Sequence, residues 1–187
     1  MGRIILVTGG ARSGKSRYAE ELIAGCGDDI VYIATARAMD TEMTERIARH
    51  RVQRPASWRT VECPTRPSAV VAAEGGHAAG ILLDCLTVMI TNRMLAHPVD
   101  WQMPTVAQMH LVETDVLAET EAIVSAVINS RADLVAVTNE VGYGIVPLSP
   151  MARFFRDCAG RVNQRMATAA AEVFLVVAGI PMRIKGH

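Results

Sequence analysis

Eight consecutive residues, Gly9, Gly10, Ala11, Arg12, Ser13, Gly14, Lys15 and Ser16, fit the pattern GxxxxGK[ST]. In that spacing the backbone N–H groups curl round a phosphate, the lysine ammonium reaches its β and γ oxygens, and the serine hydroxyl is offered to Mg²⁺. The lysine is informative in itself. Of nineteen basic residues only Lys15 and Lys185 are lysine, so a chain that uses arginine for nearly every positive charge keeps a slim point charge where one must fit beneath phosphates. Two carboxylates follow apolar runs, where a sheet edge would set them beside the loop. Asp84, after Ile81-Leu82-Leu83, suits Mg²⁺ or its water shell, and Glu140, in Thr138-Asn139-Glu140, suits orienting water or a hydroxyl nucleophile. Each also reads as an N-cap or turn carboxylate.

Arg46, Arg49, Arg51, Arg54 and Arg59 crowd a short segment of a net-neutral chain, a local anion site of the kind phosphates occupy. His50 lies among them on the helical stripe of Met43 and Ile47; by spacing alone it reads as a half-buried residue packing that helix. His77, His97, His110 and His187 show no ligand spacing and are expected at the surface. Cys26, Cys63, Cys85 and Cys158 are too far apart for a CxxC pair or a finger and read as buried free thiols of a reducing compartment.

Positioning these groups falls to alternating strands and helices. Ile4 to Thr8, Ile30 to Ala34, Ile81 to Asp84, Leu134 to Thr138 and Val173 to Val177 are near-continuous aliphatic runs, as strands buried on both faces of a parallel sheet require. Helical patterns cover Lys15 to Ala24, Thr41 to Val52, Thr105 to Asn129, and Pro150 to Ala170 with Ser149 as N-cap. The expected fold is a three-layer α/β/α P-loop nucleotide-binding fold with a mostly parallel sheet, one domain over residues 1–187. His97 to Pro104 reads as an irregular loop ahead of the long helix, and Pro181 to His187 as a short edge strand or a frayed tail.

Composition narrows the function classes. Half of the 187 residues are hydrophobic, and nineteen basic residues balance nineteen acidic ones, so no global field points to nucleic acid, an acidic partner or a membrane surface. The longest apolar run, Val173 to Ile180, is far short of the ~20 residues that span a bilayer, and the start reaches glycines too early for a signal peptide. A soluble, cytoplasmic protein is expected.

Joined together, several blocks are more specific than the loop alone: Ile4 to Arg17, Tyr32-Ile33-Ala34-Thr35, Arg46-Ile47 followed by His50, Arg54-Pro55, Trp58-Arg59-Thr60, Thr138-Asn139-Glu140-Val141-Gly142, Gly144-Ile145-Val146-Pro147 and Gly160-Arg161-Val162-Asn163-Gln164. The chain resembles the bifunctional adenosylcobinamide kinase/adenosylcobinamide-phosphate guanylyltransferase family of cobalamin biosynthesis. That resemblance implies phosphorylation of adenosylcobinamide by ATP or GTP, then transfer of GMP from GTP to adenosylcobinamide phosphate through a guanylylated histidine. His50 is the matching position, which overrides the packing reading. Also implied are a nucleotide site of Gly9, Gly10, Ala11, Arg12, Ser13, Gly14, Lys15, Ser16, Ala34, Thr35, Ala36, Arg51, Val52, Gln53, Arg54, Glu62 and Asp84, with Mg²⁺ held at Ser16 and Asp84, and a homotrimer. The rival enzyme is a small-molecule P-loop kinase without nucleotidyl transfer. A non-catalytic GTP switch would need an Asn-Lys-x-Asp guanine loop, which two lysines at 15 and 185 do not supply.

Overall fold

Aliphatic runs without polar alternation must bury both faces, and every such run here becomes an inner strand. The computed structural model describes residues 1–37 and 55–186. In order they form β1 (Ile4–Gly9), α1 (Lys15–Ala24), β2 (Ile30–Ala34), β3 (Arg59–Glu62), α2 (Pro67–Glu74), β4 (Gly80–Asp84), α3 (Leu86–Ala96), α4 (Val106–Ile128), β5 (Asp133–Val137), α5 (Pro150–Ala169), β6 (Glu172–Val177) and β7 (Ile180–Lys185). The sheet order among the described residues is β3-β2-β4-β5-β1-β6-β7, parallel throughout except for the antiparallel pairing of β7 with β6. The mostly parallel three-layer reading therefore holds, and the C-terminal segment is a strand. The expected helix Thr41–Val52 lies outside the described residues.

Alternation along each strand divides the core in two. Ile4 and Leu6 of β1, Ile81 and Leu83 of β4, and Leu134 and Ala136 of β5 pack beneath α2 to α5, among Met89, Ile90, Val116, Ile123 and Val162. Ile5, Val7, Leu82, Val135 and Val137 face the other way, toward Ala19 and Ile23 of α1. The ends of the long helices are set by side chains. Thr105 and Gln108 form a capping box at α4, the Gln108 N–H donating to Thr105 Oγ1 at 3.2 Å and the Thr105 N–H to Gln108 Oε1 at 3.0 Å. Ser149 caps α5, with Pro150 in its first turn.

The apolar pattern did not reveal three elements. β3 is a four-residue edge strand with exposed ends, and α2 and α3 are short helices whose residues are apolar almost all round, so neither shows a helical stripe. Two side-chain expectations also change. Cys85 and Cys158 are buried free thiols, but Cys63 is only half-buried and Cys26 is exposed. His97 is half-buried and sits 3.1 Å from Asp115 Oδ2, because α3 ends against the middle of α4. His77 and His110 are at the surface as expected, and His187 lies outside the described residues.

The same junction holds a half-buried charge cluster. The Arg93 guanidinium donates to Asp115 Oδ1 at 2.5 Å and to the Thr65 carbonyl at 2.6 Å, and lies 3.4 Å from Glu119 Oε2. Glu119 Oε1 in turn accepts the Ser68 N–H at 2.9 Å, in the first turn of α2. Burial lifts the Asp115 carboxyl, but hydrogen bonds from His97 and Arg93 outweigh it and hold the group below its usual value. That contribution to stability is present above about pH 4 and is lost as the pH falls through the lowered folded value. Arg93→Ala would strand Glu119, whose side chain is 6% exposed, and is expected to lower the unfolding free energy by about 3 kcal/mol in urea titrations. A change within about 0.5 kcal/mol would refute the cluster's structural role.

Candidate active site at the carboxyl edge of the sheet

The Gly9 to Ser16 segment runs from the end of β1 into the first turn of α1, the strand–loop–helix context that the motif demands. Gly14 is the N-cap of α1 at φ 93°, with no side-chain cap on the helix, so the first N–H groups of α1 point out of the helix end with no intrahelical acceptor. Arg12, at φ 56°, turns the loop in the same left-handed sense and helps curl its N–H groups into a concavity. A Cβ on Gly9 would stand 2.5 Å from the Val176 carbonyl and 2.7 Å from Ser13 Oγ, which explains why the first position of the loop must be glycine. Ser13 Oγ is itself buried with no hydrogen-bond partner. An orphaned hydroxyl inside the cradle is what a phosphate oxygen would satisfy.

Lys15 is buried, and its ammonium donates to the Gly10 carbonyl at 3.0 Å, folded back over the loop. Its charge also reaches the next strand end but one. Burial and the Asp84 charge push the Cys85 thiol up to about 11, against the Thr87 hydrogen bond and the positive charge of Lys15. Cys85 is therefore a protonated thiol at neutral pH and no nucleophile.

Register aligns the other candidates. Glu62, Ala34, Asp84 and Val137 are successive Cα partners across β3, β2, β4 and β5, and Val137 pairs with Val7 of β1. The sequence-predicted residues thus share one edge but not one point. Glu62 is four strand spacings, about 19 Å, from β1, and Asp84 two spacings, about 10 Å. Gly9 to Ser16 and Glu140 lie together at the β1 end of this edge; Ala34, Thr35, Ala36 and exposed Glu62 lie toward the far end; Asp84 stands between. His50, Arg51, Val52, Gln53 and Arg54 lie outside the described residues.

Contacts that no motif reveals fix these groups. The Tyr32 hydroxyl donates to Asp84 Oδ2 at 2.9 Å, since a phenol on an inward face of β2 must find an acceptor. Thr35 Oγ1 donates to the Cys85 carbonyl at 2.9 Å and accepts the Cys85 N–H at 2.8 Å, clipping β2 to β4, and Asn92 holds the Thr35 carbonyl at 2.8 Å. Thr35 is thereby fully engaged within the chain. Asn163 of α5 contacts Glu140 at 3.2 Å; in the sequence it stands only within the Gly160 to Gln164 block, as a polar side chain beside the apolar Ala159, Val162 and Met166.

The donor set fits Mg²⁺ bound chiefly through phosphates. Ser16 presents a half-exposed hydroxyl in the first turn of α1, and Asp84 presents a carboxylate with one oxygen held by Tyr32. No group of three or more His, Cys, Asp and Glu side chains suited to a metal occurs among the described residues. No helix among them is long and apolar enough to cross a membrane.

Comparison with known proteins agrees with this geometry. The sequence model of the family described as "Cobinamide kinase / cobinamide phosphate guanyltransferase" matches residues 5–184. The chain is 46% identical to the bifunctional adenosylcobalamin biosynthesis protein CobU of Salmonella typhimurium, over 97% of this chain and 99% of that protein. It is 47% identical to CobU of Escherichia coli over the same shares, and 41% identical to the bifunctional adenosylcobalamin biosynthesis protein CobP of Pseudomonas aeruginosa over 97% of each. Among solved structures, a KaiC-like protein of Pyrococcus horikoshii is similar in fold alone, with a TM-score of 0.51 at 13% identity over 93% of this chain and 70% of that one. With a phosphate loop between β1 and α1, carboxylates along the same sheet edge and these matches over nearly its whole length, the chain belongs to the cobinamide kinase/cobinamide phosphate guanyltransferase family.

Proposed function

We propose that this chain carries out both reactions of its family on one polypeptide. In the first, the aminopropanol hydroxyl of adenosylcobinamide attacks the γ-phosphorus of ATP or GTP; the new O–P bond forms as the γ-phosphorus leaves its bridging oxygen, and the nucleoside diphosphate departs. Residues Gly9 to Ser16 hold the triphosphate and Lys15 offsets the charge that develops on the leaving oxygens. Ser16 and Asp84 would hold Mg²⁺, which neutralises the β and γ oxygens when bound. The observation that carries this reading is the loop's setting between β1 and α1 in a chain matching the family over residues 5–184.

In the second reaction a ring nitrogen of His50 attacks the α-phosphorus of GTP, pyrophosphate leaves, and the labile P–N bond passes GMP to the phosphate oxygen of adenosylcobinamide phosphate. Arg51 and Arg54, with Val52 and Gln53 between them, would flank the α-phosphorus and the departing pyrophosphate, and Ala34 to Ala36 with Glu62 would serve the nucleoside end, the buried Thr35 by bracing that strand end rather than by touching the nucleotide. The support for these roles is the match of residues to the family pattern and, for Ala34 to Ala36 and Glu62, their distance from the phosphate loop along one edge. The proposed setting is a cytoplasmic homotrimer, for which the support is the resemblance and the exposure of Tyr143, Ile145 and Leu148 on the loop after β5. Intact-mass spectrometry after incubation with GTP and Mg²⁺ tests the enzyme class directly. A gain of one GMP is expected; a chain that phosphorylates adenosylcobinamide yet never gains GMP would be a simple P-loop kinase.

A further inference from the structure

Glu140 is held more firmly than a loop carboxylate needs to be. Its N–H donates to the Gly9 carbonyl at 3.1 Å, which ties it to the first residue of the phosphate loop. Its Oε1 accepts the Thr8 hydroxyl at 2.9 Å and the Asn163 amide at 3.2 Å. Asn163 is fixed in turn, because its Oδ1 accepts the Thr138 hydroxyl at 2.7 Å and its Nδ2 also donates to the Asn139 carbonyl at 3.2 Å. Thr138 and Asn163 are buried. Oε2, by contrast, has no partner among the described residues, and Glu140 makes no ion pair there.

A glutamine at this position would satisfy both donors through its amide oxygen without placing a half-buried, unpaired charge beside the loop. The chain therefore keeps a carboxylate where the architecture needs only an acceptor, which points to work for the free oxygen. We propose that Glu140 takes the proton of the acceptor hydroxyl in the kinase reaction through Oε2, and that Asn163 is the positioning residue that aims it. This rests on the functional reading above. As the hydroxyl oxygen bonds to the γ-phosphorus and the nucleoside diphosphate leaves, the hydroxyl proton passes to Oε2 and is later released to water. A single well-placed base of this kind contributes on the order of a hundredfold or more. Orientation by the clamp matters as much as proton affinity, since phosphoryl transfer depends mainly on positioning.

The test compares Glu140→Gln, Glu140→Asp and Asn163→Ala in two separate assays: phosphorylation of adenosylcobinamide by ATP, and formation of the GMP adduct from GTP by intact mass. Glu140→Gln is expected to lower kcat for phosphorylation by about a hundredfold, with KM for adenosylcobinamide within about threefold and adduct stoichiometry unchanged. Glu140→Asp, which restores the charge one methylene short, should recover part of that loss. Asn163→Ala should lower kcat by about tenfold at unchanged KM, a split that a merely structural role would not produce. Glu140→Gln with a kcat within threefold of the parent, or an equal fall in adduct formation, overturns the proposal. Should Glu140→Gln fail to fold, Glu140→Asp decides: a lower phosphorylation kcat with an intact adduct supports the proposal, and a parent-like kcat overturns it. A parent enzyme that makes no adenosylcobinamide phosphate would sink the functional reading instead, before any variant is compared.

Discussion

Lys15→Ala is expected to lower the phosphorylation rate by on the order of a hundredfold or more, equivalent to about 3 kcal/mol of lost charge stabilisation. The size follows from the setting. Lys15 is buried and folded back to within 3.0 Å of the Gly10 carbonyl, so no solvent ion can replace it at the same point. Lys15→Arg should fail as well, because a forked guanidinium does not fit the space that a single ammonium occupies under the loop. Stopped-flow or coupled assays with saturating ATP measure the loss, and thermal unfolding checks that the fold survives. A Lys15→Arg enzyme at near-parent rate would remove the argument that the cradle selects a point charge.

His50→Ala is expected to abolish both the GMP adduct and adenosylcobinamide-GDP while leaving phosphorylation of adenosylcobinamide largely intact, since only guanylyl transfer passes through a covalent bond to the enzyme. His50→Asn is the sharper variant, for it keeps polarity and approximate size while deleting the nucleophilic nitrogen. Formation of adenosylcobinamide-GDP by either variant at a substantial fraction of the parent rate would return His50 to a packing role. Joint loss of both activities, with the circular dichroism spectrum unchanged, would mean that the two reactions share His50, contrary to the division between Lys15 and His50 drawn above. Paired with Glu140→Gln, these variants form a double dissociation: one set stops phosphoryl transfer, the other guanylyl transfer.

What the sequence determined by itself was whatever depends on local order. GxxxxGK[ST] after an aliphatic run and before an amphipathic stretch is a local statement, and the strand, the left-handed Gly14 and the open helix end all follow from neighbouring residues. Aliphatic runs without alternation likewise require two-sided burial, so the parallel sheet was legible from Ile4–Thr8, Ile30–Ala34, Ile81–Asp84, Leu134–Thr138 and Val173–Val177. Only the tertiary structure decided what depends on strand order. The order β2-β4-β5-β1 sets Asp84 two strands from the phosphate loop and Glu62 four, a separation invisible in the chain because residues 84 and 137 are partners only through register. The same holds for side-chain partners distant in sequence. Glu140 was ambiguous as a turn carboxylate until Thr8, 132 residues earlier, and Asn163, 23 residues later, were seen to converge on one of its oxygens and leave the other unclaimed. Hydrogen-bond satisfaction is a property of what surrounds a group in space, and one-dimensional pattern carries that information only where the neighbours in space are also neighbours along the chain.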